Sequence, residues 1–286
     1  MSDAGVTESV NDWVVAALQM VSSDVLQQNL VQLEGLLAEA VGQGAQLVVL
    51  PENFALMPKQ STQLLQLAED LGAGPVQEFL ARLAKKYRCW IVAGSLPIRS
   101  ACADKVYATC LVYDDGGQQR AHYYKIHLFD VEVADQTGRY CESDTFAPGE
   151  KTVVLDTPFG RLGLSICYDL RFPELYRELL QQGAELIVAP SAFTEVTGRA
   201  HWSLLCRTRA LENSCYLIAA NQGGLHINGR STYGHSMIVD PWGEVLAELN
   251  SGSGIAVVRL TKTQLNKVRT SFPVIKHRRL AITREQ

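Results

Sequence analysis

The sequence predicts an α/β fold, and three observations support this prediction. Short apolar segments with the composition of buried strands alternate with longer segments whose apolar residues recur at helical spacing. Of the 286 residues, 47% are hydrophobic and 20% are charged, which is enough apolar material for a sizeable core. The sequence contains no internal repeat and no Pro- or Ser-rich linker. We therefore expect one domain over residues 1–286, with its core at about 13–280.

The first half of the chain contains five predicted strands and two predicted helices. The strands are rich in Val, Ile, Leu and aromatic residues and are bounded by turn residues. Their ranges are 13–20, 46–50, 90–97, 106–113 and 120–124. The last two are joined by Asp114-Asp115-Gly116-Gly117, a strong hairpin signal. The helices are 24–42, which has leucines at helical spacing and ends at Gly42 or Gly44, and one that follows Pro75.

The second half continues the alternation after a long loop, 125–149. An apolar strand at 162–166 leads into a helix that begins near Pro173 and ends at Gly183. The remaining predicted elements are strands 185–190 and 215–221, a helix from about 201 to 213, and a hairpin of strands 236–240 and 244–249. The tail, 267–279, is basic and we expect it to hold little core material.

Cys167 lies where an apolar strand gives way to a helix. Free backbone N–H groups and the helix dipole at such a junction stabilise a thiolate and, later in a reaction, an oxyanion. The alternative is a small buried thiol with no chemistry. Because Asp169 and Arg171 lie close by in the sequence, we favour a catalytic thiol.

Glu52 and Lys125 also follow apolar strands, and open α/β sheets place ligand sites at strand ends. Taken singly, Glu52 reads as an exposed cap and Lys125 as a charged residue on a sheet edge. Together with the Cys167 thiol, however, they supply a base, an oxyanion stabiliser and a nucleophile. The sequence therefore predicts nucleophilic catalysis.

Composition and motifs disfavour several other classes. The net charge of −4 and the absence of a basic stripe argue against a nucleic-acid partner, and no apolar segment is long enough to cross a membrane. Seven cysteines without a Cys-x-x-Cys pair, and a polar N-terminus without a secretory signal, predict a cytoplasmic protein. The histidines lack metal-ligand spacing and no phosphate-binding glycine motif occurs, so we expect neither metal nor cofactor. Ser191 lacks the Gly-x-Ser-x-Gly context of a serine hydrolase.

Three segments resemble the signatures of the nitrilase superfamily of carbon–nitrogen hydrolases. They are Leu-Pro-Glu52-Asn-Phe, Tyr-Tyr-Lys125-Ile-His-Leu-Phe-Asp and Leu-Ser-Ile-Cys167-Tyr-Asp-Leu-Arg-Phe-Pro-Glu. The resemblance extends over essentially 13–280, through Pro-Ser191-Ala-Phe-Thr-Glu and Tyr-Gly-His-Ser236-Met-Ile-Val-Asp-Pro-Trp-Gly. It implies a Glu-Lys-Cys triad and a four-layer α-β-β-α sandwich. It also implies a homodimer or higher homo-oligomer that pairs through helices on an outer face.

The resemblance assigns roles to five further residues. Glu142 matches a second carboxylate that supports the lysine, although by itself it reads as an exposed loop acid. The backbone N–H of Tyr168 matches an oxyanion donor. Arg171 matches a buried cation that binds a substrate carboxylate, with pairing to Asp169 or Glu174 as the alternative. Phe193 and Thr197 match residues of the acyl pocket, or are ordinary loop residues.

Within the superfamily the sequence is most similar to the deaminated glutathione amidases. The expected reaction is hydrolysis of a small anionic amide, deaminated glutathione, to 2-oxoglutarate and cysteinylglycine through a cysteine thioester. One alternative is an omega-amidase acting on 2-oxoglutaramate. Another is a catalytically idle binding protein of the same fold, although the intact Glu52, Lys125 and Cys167 set argues against it.

Overall fold

Two six-stranded sheets form the centre of the computed structural model, which describes residues 12–280. In the first sheet the strand order is β16-β1-β2-β3-β4-β5. Its strands, in chain order, are β1 (Asp12–Gln19), β2 (Leu47–Val49), β3 (Trp90–Arg99), β4 (Val106–Tyr113), β5 (Gln119–Tyr124) and β16 (Gly254–Thr261). Strand β1 pairs in parallel with β2 and antiparallel with β16, so the two ends of the chain meet in this sheet.

The second sheet has the order β15-β14-β11-β10-β9-β8. Its strands are β8 (Val154–Thr157), β9 (Gly160–Leu164), β10 (Leu186–Val188), β11 (Tyr216–Ala219), β14 (Met237–Val239) and β15 (Val245–Glu248). Two small hairpins lie outside the sheets. They are β6 (Asp130–Glu132) with β7 (Arg139–Cys141), and β12 (Gly223–Leu225) with β13 (Ser231–Tyr233).

Helices cover the outer face of each sheet. The helices are α1 (Leu26–Gly42), α2 (Thr62–Leu67), α3 (Pro75–Tyr87), α4 (Pro173–Gln181), α5 (Glu195–Asn213) and α6 (Lys262–Ser271). Residues Ala16 and Leu18 of β1 pack in the same core as the leucines of α1. Their neighbours Val15 and Ala17 point to the opposite face and join the core of the second sheet. This period-two alternation builds the predicted α-β-β-α sandwich.

Several elements differ from their predicted form. The expected loop 125–149 contains the β6–β7 hairpin, and α5 begins at Glu195 rather than near 201 because the Thr194 hydroxyl caps its first turn. Strands β8 and β16 were not predicted. Helix α6 begins before the tail and was not predicted; it buries Leu265 and Val268, of which only Val268 lies within 267–279.

All seven cysteines are free thiols, as the odd count and spacing predict. Over residues 12–280 we find no helix with the length and apolarity needed to cross a bilayer.

Candidate active site

One cavity collects most of the predicted site residues. It lies at the ends of strands from both sheets. The predicted residues that line it are Glu52, Glu142, Cys167, Tyr168, Arg171, Phe193 and Thr197. Glu52 comes shortly after β2, and Cys167 shortly after β9. The sheet-edge placement expected from the sequence therefore brings residues from distant segments together.

Lys125 is fully buried and lies between two carboxylates. Its Nζ is 2.9 Å from Glu52 Oε1 and 2.7 Å from Glu142 Oε2. Burial by itself lowers the pKa of Lys125, but the negative charges of Glu142 and Glu52 outweigh it, so the pKa lies above its usual value. Lys125 is therefore a fixed ammonium and not a surface residue on a sheet edge.

Glu142 is not an exposed loop acid, which was the alternative interpretation of its place in the sequence. It lies at the start of a short 3-10 helix after β7, and the Phe129 N–H donates to its Oε2 at 2.8 Å. The β6–β7 hairpin thus returns the chain so that this carboxylate reaches Lys125, which is 17 residues earlier.

Cys167 begins a 3-10 helix, Cys167–Arg171, that precedes α4. Its φ of 48° is left-handed, a conformation that costs free energy for a residue with a Cβ. The Cys167 N–H donates to the Pro190 carbonyl at 2.8 Å, which holds the turn against the end of the neighbouring strand. The side chain is buried, with 7% exposed.

The resting state of Cys167 differs from the expected thiolate. Burial, followed by the negative charge of Glu52, raises the pKa of the thiol, while Lys125 and a backbone hydrogen bond from Ala192 lower it without reversing the shift. The dipole of a short 3-10 turn is thus outweighed by desolvation. Cys167 is therefore a neutral thiol at rest and needs a base to become a nucleophile.

Asp169 connects the cysteine turn to the lysine segment. It is completely buried, and its Oδ2 accepts from the Tyr123 hydroxyl at 2.7 Å and from the Ile166 N–H at 2.8 Å. Its Oδ1 lies 2.7 Å from His127 Nδ1. The sequence placed Asp169 near the site without a role; the structure makes it the shared acceptor of the two segments that carry Lys125 and Cys167.

Arg171 forms no ion pair with Asp169 or Glu174 in the described part of the chain. Its Nη1 lies 3.3 Å from His201 Nδ1, and its guanidinium lies 5.3 Å from the centre of the Phe193 ring. The side chain is only half-buried, which corrects the expectation of a buried cation: the turn that carries it opens to solvent beside α5. When no substrate is bound, the Arg171 guanidinium therefore remains partly hydrated.

Phe193 and Thr197 lie where α5 begins rather than in an extended loop. The Thr197 hydroxyl lies 2.9 Å from that of Thr194, the residue that caps the helix. The Phe193 ring packs edge-on against Trp202 at 4.9 Å. Both residues therefore line the cavity from a rigid helix start.

Arg230 also lines the cavity, although no sequence pattern pointed to it. It precedes β13, its Nη2 donates to the Ala192 carbonyl, and its guanidinium lies 5.3 Å from the Tyr140 ring centre. Its Nε is buried without a hydrogen-bond partner among residues 12–280. A single arginine after a turn has no periodicity or motif, so only the folded chain reveals it.

Residues 12–280 contain no cluster of three or more His, Cys, Asp or Glu side chains arranged to hold an ion.

Comparison with known proteins identifies the family. The model of the carbon-nitrogen hydrolase family matches residues 14–270. The chain belongs to the carbon–nitrogen hydrolase family. This confirms the resemblance noted in the sequence and the expectation of an enzyme that hydrolyses carbon–nitrogen bonds.

Relatives of this carbon–nitrogen hydrolase include two curated proteins. The deaminated glutathione amidase of Yersinia enterocolitica is 43% identical and aligns with 93% of this chain and 92% of its own. The deaminated glutathione amidase of Synechocystis sp. (strain PCC 6803 / GT-S) is 44% identical and aligns with 93% of this chain and 98% of its own. Among solved structures, Saccharomyces cerevisiae Nit3, a member of branch 10 of the nitrilase superfamily, is 32% identical to this chain. The match covers 94% of this chain and 97% of Nit3, with a TM-score of 0.84. The predicted fold is confirmed by this likeness.

Proposed function

We propose that the protein is an amidase that hydrolyses deaminated glutathione to 2-oxoglutarate and cysteinylglycine through a thioester on Cys167. The observation that supports this most directly is the burial of Lys125 between Glu52 and Glu142, two carboxylates that line the same cavity as Cys167. A thiol, a carboxylate and a fixed ammonium are the groups that acyl transfer requires. The names of the curated relatives supply the substrate.

The first half-reaction forms the thioester. Glu52 takes the proton of the Cys167 thiol, and the resulting sulfur anion attacks the amide carbon. The oxyanion is stabilised by the Lys125 ammonium and by the Tyr168 N–H. The Tyr168 N–H is the donor assigned at this turn because the Cys167 N–H binds Pro190 and the Asp169 N–H binds Ile166. Glu52 then passes its proton to the leaving nitrogen as the carbon–nitrogen bond breaks.

The second half-reaction returns the enzyme to its resting state. Glu52 accepts a proton from a water molecule, whose oxygen attacks the thioester carbon, and Lys125 again stabilises the oxyanion. The carbon–sulfur bond breaks, the acid product leaves as a carboxylate, and Cys167 recovers its proton. Glu142 keeps Lys125 charged and in place during both steps, because it lies 2.7 Å from Nζ.

The charge and the lining of the cavity support a small anionic substrate, such as an amide with the 2-oxoglutaryl group of deaminated glutathione. Arg171 presents a guanidinium fork for the keto-carboxylate end of that group. Phe193 and Thr197 supply an apolar wall and a hydroxyl beside it.

A substrate panel tests this proposal. Purified enzyme is assayed with deaminated glutathione, 2-oxoglutaramate, simple nitriles and N-carbamoyl amino acids, and kcat/KM is compared. We expect deaminated glutathione to be cleaved fastest. A clear preference for 2-oxoglutaramate would replace the proposal with an omega-amidase, and no turnover of any compound would leave a catalytically idle binding protein.

We also propose that the chain forms one domain, with its core at 13–280, and assembles as a homodimer or larger homo-oligomer. Leu204 and Leu211 of α5 are exposed, and they lie on the same side as Trp242, which stacks edge-on against Phe272 at 5.4 Å. Exposed apolar side chains grouped in this way are typical of a subunit interface. The need of Cys167 for a reduced thiol, with every cysteine free, supports a cytoplasmic location.

A further inference from the structure

One arginine of the cavity, Arg230, carries a charge that the proposed chemistry leaves unexplained. Neither Arg171 nor Arg230 is paired with a carboxylate within residues 12–280. With Lys125 they place three positive groups at the cavity against the two carboxylates of Glu52 and Glu142. The site therefore has one net positive charge before substrate binds, and Arg230 is the residue that makes it so.

Arg230 stands at the boundary between two spaces. It lines the catalytic cavity, and it also lines a neighbouring surface cleft with Tyr140. Both carboxylates of that cleft already have partners: Asp135 accepts from the Tyr140 hydroxyl at 2.8 Å, and Glu195 pairs with Arg199. The Ala192 carbonyl and the Tyr140 ring hold its guanidinium in place. Its Nε is buried and unpartnered over the described residues, so the group retains an unused donor. A buried donor without a partner costs free energy unless a ligand satisfies it.

We propose that Arg230 is a specificity-determining residue that binds an anionic group on the leaving-group side of the scissile amide. The inference rests on the proposed amidase function and adds that Arg230 contacts the leaving group of the substrate. Arg171 lies on the same turn as Cys167 and faces the acyl end, beside Phe193. Arg230 faces the route from the cavity into the outer cleft, which a leaving group larger than ammonia must occupy.

The chemistry of the substrate fits this division. Deaminated glutathione carries one carboxylate on its acyl part and a second at the glycine end of its leaving group. A guanidinium binds a carboxylate through two parallel charge-assisted hydrogen bonds, which makes it sensitive to loss of either partner. 2-Oxoglutaramate has the same acyl part but releases ammonia. Arg230 therefore distinguishes these two amides, whereas Arg171 does not.

Three substrates and three variants test the proposal. The substrates are deaminated glutathione, its derivative with the glycine carboxylate converted to an amide, and 2-oxoglutaramate. Arg230→Gln should lower kcat/KM for deaminated glutathione by about 10- to 100-fold, mainly through KM, because uniform binding is lost. For the other two substrates the same variant should change kcat/KM by less than about threefold, because both lack the carboxylate that Arg230 is proposed to bind. Arg171→Gln should impair all three.

Arg99→Gln is the matched control, because Arg99 is an exposed arginine of β3 paired with Asp70, outside both the cavity and the cleft, and its removal changes the net charge equally. An equal loss for all three substrates in Arg230→Gln would overturn the proposal and leave Arg230 as a support for the Ala192 backbone. An unchanged kcat/KM for deaminated glutathione would overturn it as well.

Failure of the proposed function is seen separately, in the wild-type rates alone. If the wild type cleaved another amide instead, inhibition by cysteinylglycine still tests Arg230 on that reaction. We expect Arg230→Gln to weaken this inhibition by about tenfold or more and Arg99→Gln to leave it intact. Equal inhibition of wild type and Arg230→Gln would contradict the role of Arg230.

Discussion

The carboxylate of Asp169 accepts a hydrogen bond of 2.7 Å from the hydroxyl of Tyr123. Tyr123 is two residues before Lys125, and Asp169 is two residues after Cys167. One buried contact therefore sets the distance between the segments that carry the proposed oxyanion stabiliser and the proposed nucleophile. The burial of Asp169 and its further hydrogen bonds to Ile166 and His127 make this contact sensitive to substitution.

Asp169→Asn should therefore destabilise the protein and reduce kcat. The amide is nearly the same size, but it turns a donor towards the hydroxyl and N–H groups that now donate to the carboxylate. We expect a loss of about 3 kcal/mol in the free energy of unfolding, measured with denaturant, against about 1 kcal/mol for Tyr123→Phe. Equal stability of Asp169→Asn and the wild type would show that the contact does not hold the two segments.

Cys167→Ala should abolish turnover and leave the fold intact. The side chain is small and the substitution removes one sulfur atom, so far-ultraviolet circular dichroism and the unfolding midpoint should change little. Cys102→Ala is the control, because Cys102 is an exposed thiol outside the cavity. Residual activity of Cys167→Ala near the wild-type level would end the thioester mechanism. Mass spectrometry of rapidly quenched wild-type enzyme should also find an acyl adduct on Cys167.

Glu52→Gln and Lys125→Met should each lower kcat by on the order of 10² or more. Glu52→Gln removes the base that the neutral Cys167 thiol needs. Lys125→Met removes the charge that stabilises the oxyanion, and it leaves Glu52 and Glu142 without their shared partner. Steady-state kinetics separate the possibilities. A rise confined to KM, with kcat unchanged, would assign both residues to binding rather than chemistry.

The two substitutions should shift the alkylation of Cys167 in opposite directions along the pH scale. The charge of Glu52 raises the pKa of the thiol, so Glu52→Gln should let the thiolate form at lower pH than in the wild type. Lys125 lowers that pKa, so Lys125→Met should move thiolate formation to higher pH. The rate of modification by iodoacetamide, followed at Cys167 by mass spectrometry, measures both shifts. The profile of the exposed Cys102 should stay the same, and a shared shift of both variants would contradict the assignment.

His226 should make the stability of the protein depend on pH below neutrality. Its ring is buried, with Nδ1 2.9 Å from the Ser22 carbonyl and Nε2 2.7 Å from the Thr232 hydroxyl. Burial lowers the pKa of His226 to about 4. In the unfolded chain the pKa of His226 returns to about 6.5. Between about pH 4 and 6.5 the unfolded chain therefore binds a proton at His226 that the folded protein does not bind. The contribution of His226 to the free energy of unfolding is therefore fully present above about pH 6.5 and falls by about 3 kcal/mol towards pH 4.

Denaturant unfolding between pH 4 and 7 tests this dependence. His226→Gln should flatten the slope relative to the wild type, because the titrating group is gone. His277→Gln, at an exposed position, should retain the wild-type slope. Parallel slopes for the wild type and His226→Gln would show that other groups carry the dependence.

Much of the architecture could be predicted from the sequence because its determinants are local. Strands and helices reveal themselves through apolar spacing, so β1, β4, β5 and α1 match their predicted bounds within two residues, and α3 is the helix predicted after Pro75. Strand β16 carries the same apolar signal and was nevertheless missed, whereas other unpredicted elements lack it. The β6–β7 strands have three residues each, and α6 is mainly polar and buries Leu265 and Val268. Local periodicity cannot report elements whose stability depends on what they pack against.

The site divides in the same way. Glu52, Lys125 and Cys167 could be proposed from the sequence because each ends an apolar strand within a recognisable segment. The family resemblance already assigned Glu142 to the support of Lys125, whereas the raised pKa of Cys167 required the folded chain. Burial and charge at a group are set by residues far away in the sequence, and these terms, rather than the residue type, fix its protonation. The sequence by itself determined the reactive groups and the order of the strands that carry them, whereas only the tertiary structure decided their charge states and added Arg230 to the cavity.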